Sequence, residues 1–220
     1  YNPETNSWTK MDDFKGAARN YALGFGIDNY GYVGTGYNDN YLKDFYRFDP
    51  TATAGSQWTI VNGFGGQKRQ GGTAFVIDGK AYVCGGQNNN SDVSDFWCFD
   101  PSAATPWTQL RDIANTSDDD YDDDYTSIVR SYGVSFVIDG KAYLTLGSTA
   151  GGSYYSNYWI YDPATDLWEG DDLTAFEGST RIHAVCFSTG TRGIVATGGS
   201  GSSSYFDDTW ELKPYENEEE

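Results

Sequence analysis

With 32 Asp and Glu against 14 Lys and Arg, the 220-residue chain carries a formal charge of −18, a field that repels phosphate backbones and excludes nucleic acid as a main partner. A hydrophobic content of 38%, much of it aromatic, suffices for a packed core, and 27 glycines among abundant Tyr, Asp, Asn, Ser and Thr are the usage of short strands joined by tight turns. No apolar run reaches the roughly 20 residues of a spanning helix, so no direct membrane insertion is expected. Cys84, Cys98 and Cys186 are odd in number and form no CxxC, which argues against a zinc site or a disulfide framework. Buried free thiols are expected, with a Cys84–Cys98 bridge between neighbouring strands as the alternative.

In chain order, "YNPETNSWTKM" over residues 1–11 reads as a lone Trp strand with no unit in front of it. A first unit over about 12–58 contains Arg19, Gly36, "DFYRFDP" ending at Pro50, and Trp58. The second, 59–107, repeats the order with Arg69, "FVIDGKAY" from Phe75 to Tyr82, Gly86, "DFWCFDP" ending at Pro101, and Trp107. An acidic insertion at 111–125 carries "SDDDYDDDY". The third unit, 126–168, spells "FVIDGKAY" again from Phe136 to Tyr143, between Arg130 and Gly147, and closes with "NYWIYDP" at Pro163 and Trp168. The fourth, 176–214, has Arg181, Gly198 and "DTWELKP" at Pro214, and stops without its Trp strand. Arg and Gly positions both step by 50, 61 and 51, so one unit of about 50 residues recurs four times.

Each unit divides into four short strands, a to d, rich in Val, Ile, Phe, Tyr and Trp. Asp78-Gly79 and Asp139-Gly140 are two-residue hairpin signals between a and b, and Asp-Pro marks the turn from c to d. One such sheet cannot cover its own apolar faces, so copies stack radially, which gives an all-β propeller of four-stranded antiparallel blades. The glycine pairs Gly85-Gly86 and Gly198-Gly199, the aromatic before Asp-Pro and the following Trp resemble the kelch repeat over nearly the whole chain. Copies one and three depart from it with single glycines, Gly36 and Gly147, and Lys213 stands in place of the Asp before Pro214. The terminal pieces complement one another, so residues 1–11 are expected to complete the last blade in a closed four-blade ring. The family more often has six or seven blades, and a start at Tyr1 favours a trimmed part of such a longer ring.

Antiparallel strands alternate direction, so the a–b and c–d turns share one face and the b–c and d–a connections the other. The b–c loops, residues 37–43, 87–94, 148–156 and 200–206, are polar and variable, which places binding there, with Tyr37, Asn89, Tyr154, Tyr155 and Tyr205 as contact candidates. The acidic run falls in a d–a connection of the same face. Its Asp118, Asp120, Asp122 and Asp124 could serve calcium, although the spacing fits no EF-hand and a solvated, mobile loop is the plainer expectation. Arg19, Arg69, Arg130 and Arg181 open the inner strands and, with Tyr21, Tyr132 and His183 two residues further on, could ring the channel mouth and grip a carboxylate. The plainer reading pairs each Arg with the residue heading strand c, Asp44, Asp95, Asn157 or Asp208, to tie blades together.

Kelch resemblance also raises copper radical oxidases, whose two His and two Tyr ligands this chain with one His cannot supply, and sialic-acid epimerases, whose channel acids are missing in register with the Arg set. No GxSxG elbow or isolated carboxylate pair stands out. A non-catalytic binding module is therefore expected, with no cofactor, and with a glycan or a protein partner on the loop face. The carbohydrate-active enzyme, with its site in further blades, is the alternative. The style of the repeats resembles exported kelch proteins of Bacteroidota, which implies an extracytoplasmic location, with a lipid anchor upstream of Tyr1 in some of them.

Overall fold

The computed structural model describes residues 1–170 and 174–214. The repeated octapeptide explains itself locally. Asp78 and Gly79 take φ of 49° and 74°, the left-handed pair of a type I′ turn, so strand a folds back on b with Phe75 opposite Tyr82. The second copy sets Phe136 opposite Tyr143 in the same way. These cross-strand rings stack within their own blade at 5.3 and 6.0 Å, as do Phe25 and Tyr32 at 5.1 Å.

Blade 1 comprises β1 (Leu23–Ile27), β2 (Tyr30–Gly34), β3 (Phe45–Phe48) and β4 (Trp58–Val61). Blade 2 has β5 (Thr73–Ile77) and β6 (Lys80–Cys84), then a small loop hairpin of β7 (Gln87–Asn88) and β8 (Ser91–Asp92), then β9 (Trp97–Phe99) and β10 (Trp107–Gln109). Blade 3 is formed by β11 (Val134–Ile138), β12 (Lys141–Thr145), β13 (Trp159–Asp162) and β14 (Leu167–Glu169). Blade 4 holds β15 (Val185–Ser188) and β16 (Gly193–Ala196), a loop hairpin of β17 (Gly199–Ser200) and β18 (Ser204–Tyr205), and β19 (Thr209–Leu212). Neighbouring strands in each blade run antiparallel, and β1, β5, β11 and β15 are successive neighbours that line the axis. The four sheets stand in a ring as an all-β propeller. Among the described residues no helix is long and apolar enough to cross a membrane.

Apolar cores lie between blades rather than within them. Phe25, Tyr32 and Phe45 meet Ala81, Val83 and Phe99 between blades 1 and 2. Phe75 and Tyr82 meet Ala142, Leu144 and Tyr161 between blades 2 and 3, and Phe136 and Tyr143 meet Val195 and Trp210 between blades 3 and 4. Each fully buried Phe contributes on the order of 2 kcal/mol, so the junctions carry the stability. A backbone bond repeats at each junction: the N–H groups of Gly36, Gly86 and Gly147 donate to the carbonyls of Arg69, Arg130 and Arg181 at 2.8, 2.8 and 3.0 Å. Glycine recurs there because a Cβ at Gly36, Gly86 or Gly147 would lie 2.7, 2.7 or 2.6 Å from a backbone oxygen, and φ is near 90° at each. The single-glycine copies keep this geometry, with Thr35, Leu146 and Thr197 adopting the left-handed conformation that Gly85 adopts in blade 2. In blade 4 the equivalent pair is thus Thr197-Gly198, not Gly198-Gly199.

Residues 1–11 do not complete blade 4, contrary to the expectation. Asn2 and Ser7 bridge one another, Trp8 packs on Tyr1 at 5.2 Å and is 84% exposed, and blade 4 keeps three strands among the described residues. The segment is held at blade 1 instead. Both Asp12 carboxylate oxygens accept from Gly55 N–H, one also accepts from Gln57 N–H, and the Trp58 indole donates to the Asp12 carbonyl.

Candidate functional site

All four arginines are buried within their own blades, so they do not ring the mouth as free guanidinium groups. Their bonding repeats residue for residue. Nε donates to the carbonyl two residues earlier, at Ala17, Gln67, Ile128 and Ser179, and Nη1 to the carbonyl sixteen residues later, at Thr35, Gly85, Leu146 and Thr197. The guanidinium also meets the residue heading strand c: Asp44 at 2.6 and 3.0 Å, Asp95, Asn157 at 3.1 Å, and Asp208. The side chain therefore staples one blade, while the Arg backbone, through its carbonyl in each of Arg69, Arg130 and Arg181 and also through the Arg69 N–H to the Leu42 carbonyl, reaches the preceding blade. Carboxylate gripping is not what these groups do, because each is buried and makes four or five hydrogen bonds within its own blade.

Arg130 is the exception in charge. Its partner is an amide, and burial pulls its pKa down to about 10, eased by the Tyr155 ring 4.7 Å away. At the other corners the carboxylates respond. Hydrogen bonding from Arg181, aided by the Trp210 indole, holds Asp208 down to about 2, and the Arg19 bonds hold Asp44 low.

One residue after each Arg the chain pairs with the start of the b–c loop, through Asn20–Tyr37, Gln70–Gln87, Ser131–Ser148 and Ile182–Gly199. The next residue turns left-handed in every blade: Tyr21, Gly71, Tyr132 and His183 have φ of 52°, 62°, 59° and 58°. This kink turns three rings toward the axis, where they converge. Ring centroids are 5.2 Å apart for Tyr21 and Tyr132, 5.4 Å for Tyr21 and His183, and 4.5 Å for Tyr132 and His183. Gly71 leaves the room that Tyr132 needs, since a Cβ there would sit 2.4 Å from that ring. Tyr21 is 46% exposed, and the Gln87 amide donates to the Tyr132 hydroxyl at 2.9 Å. Partial burial lowers the His183 pKa, so this imidazole is neutral near pH 7.

The loop candidates divide. Tyr205 at the tip of blade 4 and Asn89 in the β7–β8 turn are exposed. Tyr37 is half-buried and packs edge-on against Tyr41. Tyr154 is engaged, its hydroxyl accepting from Gly201 N–H, and Tyr155 covers Arg130. Gln87 was missed by sequence reasoning; its signal was its place directly after Gly86, where each unit turns toward the axis.

The acidic segment is folded, and it lies against blade 3 rather than standing free on the loop face. Asp122 is buried and accepts from the Thr116 and Ser117 N–H groups and the Ser117 hydroxyl. Burial opposes its charge, but these bonds outweigh it and hold its pKa low. The buried Tyr125 accepts the Trp168 N–H, and Arg111 reaches the Thr165 carbonyl while stacking on Tyr121. Asp118, Asp120 and Asp124 are exposed, and among the described residues no three acidic, His or Cys side chains converge as a metal site. Of the four acidic candidates only Asp122 is buried, and both its oxygens are engaged by its own loop.

Residues 68–110 match the kelch motif, covering the second unit. No curated protein matches the sequence. The solved structure of YjhT superposes with a TM-score of 0.70 at 19% identity, over 88% of this chain and 63% of that one. The chain is a β-propeller that carries a kelch motif at residues 68–110. It spans less than two thirds of that neighbour's length.

Proposed function

We propose that this propeller is a non-catalytic binding module that takes a neutral glycan at the axial mouth, with Tyr21, Tyr132 and His183 as the stacking platform. The observation that carries this is the convergence of the three rings around a partly exposed Tyr21. Flat rings cover the apolar face of a pyranose, and the Gln87 amide and the tyrosine hydroxyls can exchange hydrogen bonds with sugar hydroxyls. A neutral ligand fits better than an acidic sugar, because all four repeated guanidinium groups are engaged inside the blades and the chain as a whole is strongly anionic. The extracytoplasmic location belongs to the same proposal, and fractionation of the native host tests it.

Calorimetry against matched neutral and acidic sugars tests the ligand class. Saturable binding of a neutral sugar, weakened at least about tenfold by Tyr21→Ala, is expected, with the sugar recovered unchanged by mass spectrometry. Binding confined to acidic sugars, or untouched by Tyr21→Ala, overturns the site. Recovery of a converted sugar overturns the non-catalytic reading. Exposed Tyr205 and Asn89 suit a protein partner as the second reading.

A further inference from the structure

The rings at the axial mouth continue sideways into the b–c loop of blade 1. Residues 37–41 form a tight hairpin there, in which Tyr37 bridges Tyr41 and the two rings meet edge-on at 5.1 Å. Both tyrosines are half-buried. The hairpin is fixed on two blades, since Tyr37 and Asn20 exchange backbone bonds at 2.9 and 3.0 Å, Leu42 N–H donates to the Gly36 carbonyl, and Arg69 N–H of blade 2 donates to the Leu42 carbonyl at 3.1 Å. Asp39 supplies a left-handed residue at its tip. Tyr41 thereby adjoins the axial cluster: burial raises the pKa of Tyr132, and the neighbouring Tyr21 and Tyr41 hydroxyls add to the rise against the lowering by the Gln87 hydrogen bond.

The fold does not require this pair of tyrosines. Every blade builds the same loop ladder, and the corresponding pairs are Gln87 with Asp92 in blade 2, Ser148 with Tyr154 in blade 3 and Gly199 with Tyr205 in blade 4. Backbone bonds carry that ladder, so small and polar side chains serve it. Where the tyrosine recurs in blade 3, its hydroxyl holds the next loop through Gly201 N–H at 2.8 Å. Gln87 stands beside Tyr132 and fixes its polarity, because a hydroxyl oxygen that accepts from the Gln87 amide at 2.9 Å keeps its own proton to donate outward.

We propose that the Tyr37–Tyr41 hairpin is a second sugar subsite, so that the propeller takes a linear neutral oligosaccharide with one ring at the axial platform and the next on the hairpin. This rests on the axial reading above and extends it. A chain of pyranoses fits because it presents apolar ring faces at separate points, joined by hydroxyls and glycosidic oxygens to which the Tyr132 hydroxyl can donate and from which the Gln87 amide oxygen can accept. A neutral chain fits the formal charge of −18.

Calorimetry with the methyl glycosides of glucose, galactose, mannose and N-acetylglucosamine, and with the linear tetrasaccharide of each, provides the test. At least one tetrasaccharide should bind about tenfold or more tightly than its methyl glycoside. Tyr41→Ala should remove that gain and leave binding of the methyl glycoside unchanged, whereas Tyr41→Phe, which keeps the ring, should retain the gain. Tyr21→Ala should weaken both ligands, and circular dichroism should show all three variants folded. Equal affinity for the short and the long ligand, a tetrasaccharide gain indifferent to Tyr41→Ala, or a methyl glycoside weakened as much as the tetrasaccharide by Tyr41→Ala overturns the second subsite and leaves the axial site standing. Failure of every neutral sugar to bind at either length overturns the axial reading and the second subsite with it.

Discussion

Arg130 is 1% exposed and donates from Nη2 to the Asn157 amide oxygen at 3.1 Å, in the corner where the other three blades present an aspartate. The same staple is thus built three times with a counter-ion and once without. Asn157→Asp should pair the buried charge while Ser127 turns its hydroxyl to donate, stabilising the protein by about 1 kcal/mol. The reverse probe is Asp95→Ala, which strands the fully buried Arg69 and should cost about 3 kcal/mol. Denaturant midpoints at constant slope read both, and a loss on Asn157→Asp would show that the amide is the better partner.

Acid should unfold this protein early despite its acidic composition. The depressed carboxylates include Asp44 and Asp208 on their arginines and Asp49, Asp100 and Asp162 capping the c–d turns through Thr51, Ser102, and Lys141 with Ala164. Their folded pKa values lie below the unfolded value near 4, so in acid the unfolded chain binds more protons and stability falls. The loss should begin near pH 4.5 and continue to about pH 2, with a smaller step from His183 starting near pH 6.5. Burial raises Asp112, which works in the opposite direction at one site. Thermal melts across pH read the slope, and a midpoint unchanged between pH 6 and pH 3 would contradict it.

The acidic segment should behave as folded structure. Asp122→Ala removes the acceptor for two backbone N–H groups and one hydroxyl, and Tyr125→Phe removes the acceptor for Trp168 N–H. Both variants should be cut faster by a protease specific for Asp or aromatic residues within 117–125. Calcium should not protect the wild type. Rapid cleavage of the unaltered chain at this segment would refute its packing on blade 3.

The three thiols should be free and slow to react. Cys84 is buried and its pKa is pushed up to about 12, and burial also raises Cys98 and Cys186. Strand register sets Cys98 opposite Tyr82 rather than Cys84, which disposes of the bridge. Native protein at pH 8 should release little thionitrobenzoate before denaturant is added, then three equivalents. An intact mass lower by two hydrogens would reinstate the disulfide.

Much of the architecture follows from neighbours in sequence. Asp-Gly dipeptides, alternating apolar runs and Asp-Pro turns act over a few residues, so blade boundaries and the period of the Arg and Gly positions are legible in one dimension. That a four-stranded sheet with two apolar faces needs flanking copies is also a statement about composition, and it leads to a propeller. What the letters do not contain is the direction of a side chain. Arg69 and Tyr21 stand two positions apart in the repeat frame, yet one is buried as a staple and the other faces the axis, because the left-handed turn between pairing and strand reverses the alternation.

Only the assembled ring decides which surfaces are covered. Phe75, Phe136 and Phe187 hold the same place in the repeat, and the first two are buried solely because a following blade presents Ala142 or Gly193. Residues 1–11 and blade 4 look complementary as strings, but Asp12 fixes the former at blade 1 through bonds to Gly55 and Gln57, some forty residues away in sequence. Local chemistry thus sets each blade; long-range contact sets what each blade shows.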